Sequence, residues 1–343
     1  MRATTLTMVG WPPPAAPHQA PVVDGGLPDG WIRAEVAAFS ACGPVRDQNE
    51  DRVGWTVLGA LESARSPGTD EPASAILEGP GIAVAVADGL GGHAHGELAS
   101  RTAIGRLLRR LSSPEAPIKP GELLRVAFED ANEACLAGDL VDADAFDRDP
   151  AGAQTTSAQE RRRALEAAAS PGATMERGAR SGQTTLTAIA LTGRTGNVAH
   201  VGDSRLYRLR GGEIELLTND HTQARELARL RVIRPEQVLT HPGRHLLTRS
   251  IGGDLIVRVD ERASAPVVGD AYLLCTDGLW AAITSWEALN ALSGDLATGA
   301  ADLVARAEAA GGDDNASVIA LRVTALSGAA GPSTSGWRLP WRR

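Results

Sequence analysis

The stretch Asp88-Gly89-Leu90-Gly91-Gly92-His93 sets one carboxylate among three glycines, directly after the Val-rich apolar run at 81–87. A short apolar run of that kind reads as a buried strand, and the glycines after it let main chain approach the aspartate. A carboxylate and a peptide carbonyl can then share one hard cation. Taken alone, the motif is equally a tight turn that contains Asp. Five other stretches carry a related signature. Arg46-Asp47-Gln48-Asn49-Glu50-Asp51 precedes the run at 53–58, and Gly182-Gln183-Thr184-Thr185 enters the run at 186–191. Gly202-Asp203-Ser204-Arg205 links two runs, Thr276-Asp277-Gly278 follows the run at 271–275, and Gly311-Gly312-Asp313-Asp314-Asn315 opens the run at 317–323.

If these ends converge, several carboxylates meet in one cleft. Ionised carboxylates within a few ångströms raise one another's pKa and destabilise the fold unless bound cations supply opposing charge. Oxygen donors without a Cys or His cluster point to Mg²⁺ or Mn²⁺ over Zn²⁺. Two such ions bridged by one carboxylate would share a water and present hydroxide to an electrophile at neutral pH. Arg46 suggests the electrophile, because a guanidinium grips phosphate oxygens with two prongs. Each residue also has a plainer role open to it: Asp51 in a turn, Asp203 at a bend, Arg46 on a surface acid. Asp277 is hardest to dismiss, since a charge directly after the buried run at 272–275 is costly without a partner. His221 and His93 fit the ordinary role of hydrogen-bonded structural histidines. A cysteine phosphatase would want an arginine about six residues after its thiolate. That position holds Gln48, Val141 and Ala281 after Cys42, Cys135 and Cys275, and no phosphate-loop lysine motif is present either.

The elements that must position these residues follow from periodicity. Strands are expected at 34–38, 53–58, 82–87, 186–191, 197–201, 206–209, 214–217, 255–259, 271–275 and 317–323, with Gly211-Gly212 turning a hairpin. Amphipathic helices are expected around Ile104 to Leu111 and Leu124 to Cys135, and at 223–230, 286–292 and 301–309. Runs of strands meeting runs of helices favour antiparallel sheets with helices packed outside, an α+β class. A Pro-rich flexible extension covers 1–31, a domain 32–324, and a flexible tail 325–343. The domain contains a polar insertion at about 138–180, whose aspartates fail the calcium-loop pattern because Ala153 stands at the bidentate acid position. A net charge of −8 argues against nucleic acid as the main partner. Three widely spaced cysteines suggest neither a disulfide framework nor a zinc site, and no segment has the apolar length of a membrane span. A cytoplasmic monomer is expected.

These motifs resemble, in order, those of the metal-dependent serine/threonine phosphatases of the PP2C (PPM) family in its bacterial form: 46–51, 88–100, 182–185, 202–208, 217–221, 247–252, 273–279 and 312–318. The resemblance implies a four-layer α/β/β/α sandwich with two central antiparallel sheets flanked by helices, and two Mn²⁺ or Mg²⁺ ions at one end of the sheets. It implies that Asp88 bridges the ions, that the Gly89 carbonyl with Glu50 or Asp51 holds one, and that Asp277 with Asp314 holds the other. Asp203 with Asp277 matches the place of a third ion, Arg46 would bind phosphate, and 218–252 resembles the flap beside the site. Leu90 stands where eukaryotic members carry a histidine proposed as general acid, and Gln183 replaces a common glycine. The implied activity is hydrolysis of phosphoserine and phosphothreonine in phosphorylated proteins, opposing a Ser/Thr kinase. The other readings are a catalytically weak regulatory module that binds phosphorylated partners, and a phosphodiesterase, which the acidic charge disfavours.

Overall fold

A computed structural model describes residues 26–90, 94–113, 119–138 and 182–327. Most of the expected extension, nearly all of the insertion and tail, and His93 lie outside the described residues. Fourteen strands are described: β1 (Ile32–Ala41), β2 (Arg52–Val57), β3 (Ala60–Arg65), β4 (Ala73–Gly79), β5 (Ile82–Ala87), β6 (Gly89–Leu90), β7 (Gln183–Thr184), β8 (Leu186–Leu191), β9 (Gly196–Val201), β10 (Arg205–Arg210), β11 (Glu213–Leu216), β12 (Asp260–Ala263), β13 (Ala271–Cys275) and β14 (Ala316–Leu326). The helices are α1 (Ala94–Ser112), α2 (Pro120–Ala137), α3 (Gln223–Arg229), α4 (Asp277–Trp280), α5 (Ser285–Ala291) and α6 (Leu296–Ala309), with 3-10 turns at Pro235–Thr240 and Pro242–His245.

Two six-stranded sheets form, in the orders β11-β10-β13-β14-β1-β4 and β12-β9-β8-β5-β2-β3, and β6 pairs with β7. The pairings are antiparallel. Strand alternation explains the layering, because successive side chains point to opposite faces. In β5 the large residues Ile82, Val84 and Val86 pack between the sheets against Tyr272, Leu274 and Ile319. Ala83, Ala85 and Ala87 of the same strand face Ile104, Leu107 and Leu108 of α1 and Phe128 of α2, where only small side chains leave room for helices. Val318 and Ala320 of β14 face the other way, against Leu303 and Val304 of α6. The result is the expected α/β/β/α sandwich. Gly211 and Gly212, at φ of 60° and 85°, make the two-residue hairpin turn between β10 and β11.

One expected strand is absent. Residues 255–259 are not a strand; pairing to β9 begins only at Asp260, opposite His200. β9 ends at Val201, opposite Val259 in this register, so residues before Val259 run past the end of that strand. Val257 and Val259 rest on the core beside α1 and α2, which produced the alternation in sequence, while Ile256 is 84% exposed. β3, β4, β6 and β7 were not expected. β3 and β4 are the outer edges of their sheets, with half-exposed Ala, Ser and Glu in place of a clean apolar pattern.

Candidate metal centre

The antiparallel registers bring the motif-bearing strand ends together. Arg52 at the start of β2 lies opposite Ala87 at the end of β5, and Arg205 at the start of β10 lies opposite Cys275 at the end of β13. Cys275 in turn lies opposite Val318, and Ala41 at the end of β1 opposite Ala316 at the start of β14. The loops holding Arg46, Glu50 and Asp51, then Asp88, Asp203, Asp277 and Asp314 therefore share one end of the sandwich.

Asp51 is 1% exposed and accepts a hydrogen bond from Thr276 Oγ1 at 2.8 Å. Burial pushes its carboxyl up to about 7, against hydrogen bonds from Ser317 and Thr276 that lower it, while Asp277 and Asp314 push it further up. Asp88 is held by its main chain: its N–H donates to Thr185 Oγ1 at 2.9 Å, and its carbonyl accepts from the Thr185 N–H and from Thr184 Oγ1. Its carboxyl is raised well above the usual range by burial and by the charges of Asp51, Asp277, Asp203 and Asp314. Asp203 is raised by burial and then by Asp277 and Asp220. Asp277, the first residue of α4, is raised by burial and by Asp314, and lowered by His245 and by a hydrogen bond with the Asp88 side chain. Carboxyls that shift one another in this way share one cleft.

Gly89 is glycine because of close approach. A Cβ there would fall 2.3 Å from the Gly96 carbonyl oxygen and 2.8 Å from that of Glu50. The Gly89 N–H donates to that same Glu50 carbonyl, which also accepts from Ser100 Oγ, while the Glu50 N–H donates to Asn315 Oδ1. Glu50 is thus buried and its carboxylate lies beside Gly96. Arg46 is exposed at the rim, where its guanidinium donates to Asp314 at 2.8 Å and to the Asp313 carbonyl at 3.3 Å. Asp203 accepts through its carbonyl from Trp280 Nε1, and the Trp280 ring stacks under Arg205, which is paired to Asp220.

Sequence patterns missed several of these supports. Thr276 and Ser317 fix Asp51, Asn315 links the Glu50 loop to the Cys42 and Gln48 carbonyls, and His245 Nδ1 comes within 3.8 Å of Asp277 Oδ2 from the turn Pro242–His245. His221 has the ordinary role foreseen for it: buried, its Nδ1 accepts from the Gly202 N–H and its Nε2 donates to Asp260, which also accepts from Arg249.

The donor set suits a hard divalent ion. Its side-chain donors are oxygens, its carboxyls are pushed toward neutrality without a cation, and Gly89 allows main chain to lie close. Among the described residues no three His, Cys, Asp or Glu side chains stand ready to hold an ion by themselves.

The sequence profile of the protein phosphatase 2C family matches residues 62–308. The chain belongs to this family. The serine/threonine protein phosphatase PstP of Mycobacterium tuberculosis (strain CDC 1551 / Oshkosh) is 34% identical over 237 residues, which are 69% of this chain and 39% of PstP. Protein phosphatase PhpP of Streptococcus pneumoniae serotype 2 is 36% identical over 137 residues, 39% of this chain and 56% of PhpP. The chain therefore spans 39% of the length of PstP and 56% of that of PhpP. Among solved structures, M. tuberculosis PstP/Ppp aligns with a TM-score of 0.62 at 30% identity, covering 85% of this chain and 99% of that one. The PstP catalytic domain in complex with two manganese ions aligns with a TM-score of 0.60 at 29% identity, over 85% and 99% of the two chains.

Proposed function

We propose that this chain is a metal-dependent phosphatase that hydrolyses phosphoserine and phosphothreonine in phosphorylated proteins. It would act as a cytoplasmic monomer and oppose a Ser/Thr kinase. The observation that carries the reading is the set of carboxyls, on strand ends far apart in sequence, that raise one another's pKa in one cleft with Arg46 at its rim. The manganese complex of the related PstP domain supports two ions of Mn²⁺ or Mg²⁺. Asp88 would lie between them, the Gly89 carbonyl with Glu50 or Asp51 would serve one, Asp277 with Asp314 the other, and Asp203 with Asp277 a third. Bound there, the ions would supply a water acidified for attack on phosphorus and offset charge on the phosphate oxygens. Arg46 would orient the phosphate with its guanidinium fork. Thr276 and Ser317 keep Asp51 in place, and Thr184 and Thr185 keep Asp88 in place.

The test is phosphate release from phosphothreonine peptides with Mn²⁺ or Mg²⁺. The wild-type chain should turn over, and Asp277→Asn should abolish release while leaving the fold intact. Well-folded protein that stays inactive with both ions would sink the enzyme reading and leave the regulatory module.

A further inference from the structure

The flap carries a charge opposite in sign to that of the chain. Residues 218–252 hold six arginines against Asp220, Glu226 and Glu236, in a protein of net charge −8. Three of the six are engaged: Arg225 on Asp220, Arg229 on Glu226 and Arg249 on Asp260. Arg231, Arg234 and Arg244 are exposed and have no carboxylate partner among the described residues. Arg244 lies on the turn that reaches the candidate centre. Its turn, Pro242–His245, is fixed on α3, with the Gln223 N–H donating to the Leu246 carbonyl at 2.8 Å and the Gln223 side chain filling the space beside Gly243. The next residue, His245, is the one whose ring approaches Asp277. Arg244 is thus one residue outward from the carboxylate cleft on a braced turn.

Consecutive residues lie about 3.8 Å apart in any trans chain, so the residues one or two places from a phosphoresidue at Asp277 fall within the span that a long arginine side chain beside His245 can search. An exposed arginine beside His245, without a carboxylate partner among the described residues, makes the local field there positive and favours an acidic peptide. We propose that Arg244 gives the rim of the candidate centre a preference for acidic phosphosites, pairing to a carboxylate one or two residues from the phosphoserine or phosphothreonine. This rests on the phosphatase reading and names its substrate class. Arg231 and Arg234 add to the positive potential of the same flap.

The experiment compares three phosphothreonine peptides, identical except for Asp, Ala or Lys at the flanking positions, together with a small aryl phosphate, using the full chain with Mn²⁺. The acidic peptide should exceed the neutral one in kcat/KM by about two- to fivefold per acidic residue, the range an exposed ion pair gives. The gain should appear in KM and shrink as salt screens the rim. Arg244→Glu should reverse the ranking, and Arg244→Gln should flatten it. Arg229→Glu, at a position already engaged with Glu226, should leave the ranking in place. Equal rates on all three peptides in the wild-type chain overturn the proposal whether or not the variants fold, and so does an Arg244→Glu enzyme with the original ranking. Failure to hydrolyse even the aryl phosphate overturns the phosphatase reading itself, so the two failures are distinguishable.

Discussion

In the proposed centre Arg46 and a divalent ion would compete for one carboxylate. The guanidinium pairs with Asp314 at 2.8 Å, with both side chains about two fifths exposed. An ion on Asp314 would take over that partner and release the guanidinium toward a phosphate. Arg46→Ala should therefore lower kcat/KM by about ten- to a hundredfold, the equivalent of about 1.5–3 kcal/mol of charge-assisted hydrogen bonding. The loss should fall mainly on KM in steady-state assays on phosphopeptide. Arg46→Lys should recover only part of it, because an ammonium supplies charge without the planar fork; full recovery by Lys would contradict phosphate gripping. That Asp88 and Asp277 lie at one end of the sheets was legible in sequence because each stands beside glycine just after an apolar run, and Arg46 was legible through the acids Glu50 and Asp51 that follow it. His245 was not, because its approach to Asp277 depends on a turn folding back over the cleft, and nothing in its local sequence announces that. Asn315 was visible only as part of a turn. Its side chain joins the 42–50 loop to the start of β14 by hydrogen bonds to two carbonyls and from one N–H.

At the scale of elements, the site is an outcome of strand register. Thr276, between β13 and α4, donates to Asp51 and accepts from the Ser317 N–H at 3.1 Å, so one hydroxyl ties the starts of β2 and β14 to the end of β13. Thr276→Val keeps the shape and removes both bonds, which should destabilise the protein by about 1–3 kcal/mol. A lower denaturant midpoint with an unchanged slope would register it, and an unchanged midpoint would mean that the hydroxyl is not a tie. The same scale explains what sequence could reveal of the fold. β5 and β8 are buried on both faces, so β5 reads as an unbroken apolar run and β8 as one interrupted only by Thr187. β3 and β4 bury little on sheet edges and gave no signal. At 255–259 alternating valines mimicked a strand while only resting on the core, because alternation reports burial of every second residue and is silent on whether a neighbouring strand extends that far.

Across the whole molecule the two kinds of acid pull stability in opposite directions with pH. Asp220 and Asp260 are lowered despite burial, by Arg205 and Arg225 in one case and by His221 and Arg249 in the other, so their contribution is lost as pH falls through the acid range. Asp51 behaves in reverse. Its carboxyl moves from an ordinary 3.8 up to about 7 on folding, and Asp88, Asp203 and Asp277 are also raised. The native state without metal then holds more protons than the unfolded chain between about pH 4 and 7. Stability is fully present below the unfolded value and declines as pH rises through that window, by on the order of a few kcal/mol. Divalent ions held by these carboxylates would invert the dependence, since they would bind only the deprotonated forms, gain affinity as pH rises and stabilise the state that holds them. Chelator-treated protein should accordingly unfold at lower denaturant at pH 7.5 than at pH 5, and the stabilisation by added Mn²⁺ should be larger at pH 7.5 than at pH 5. Chelator-treated protein that is no less stable at pH 7.5, with a Mn²⁺ effect that does not grow, would mean that these carboxylates do not face one another closely enough to form the centre.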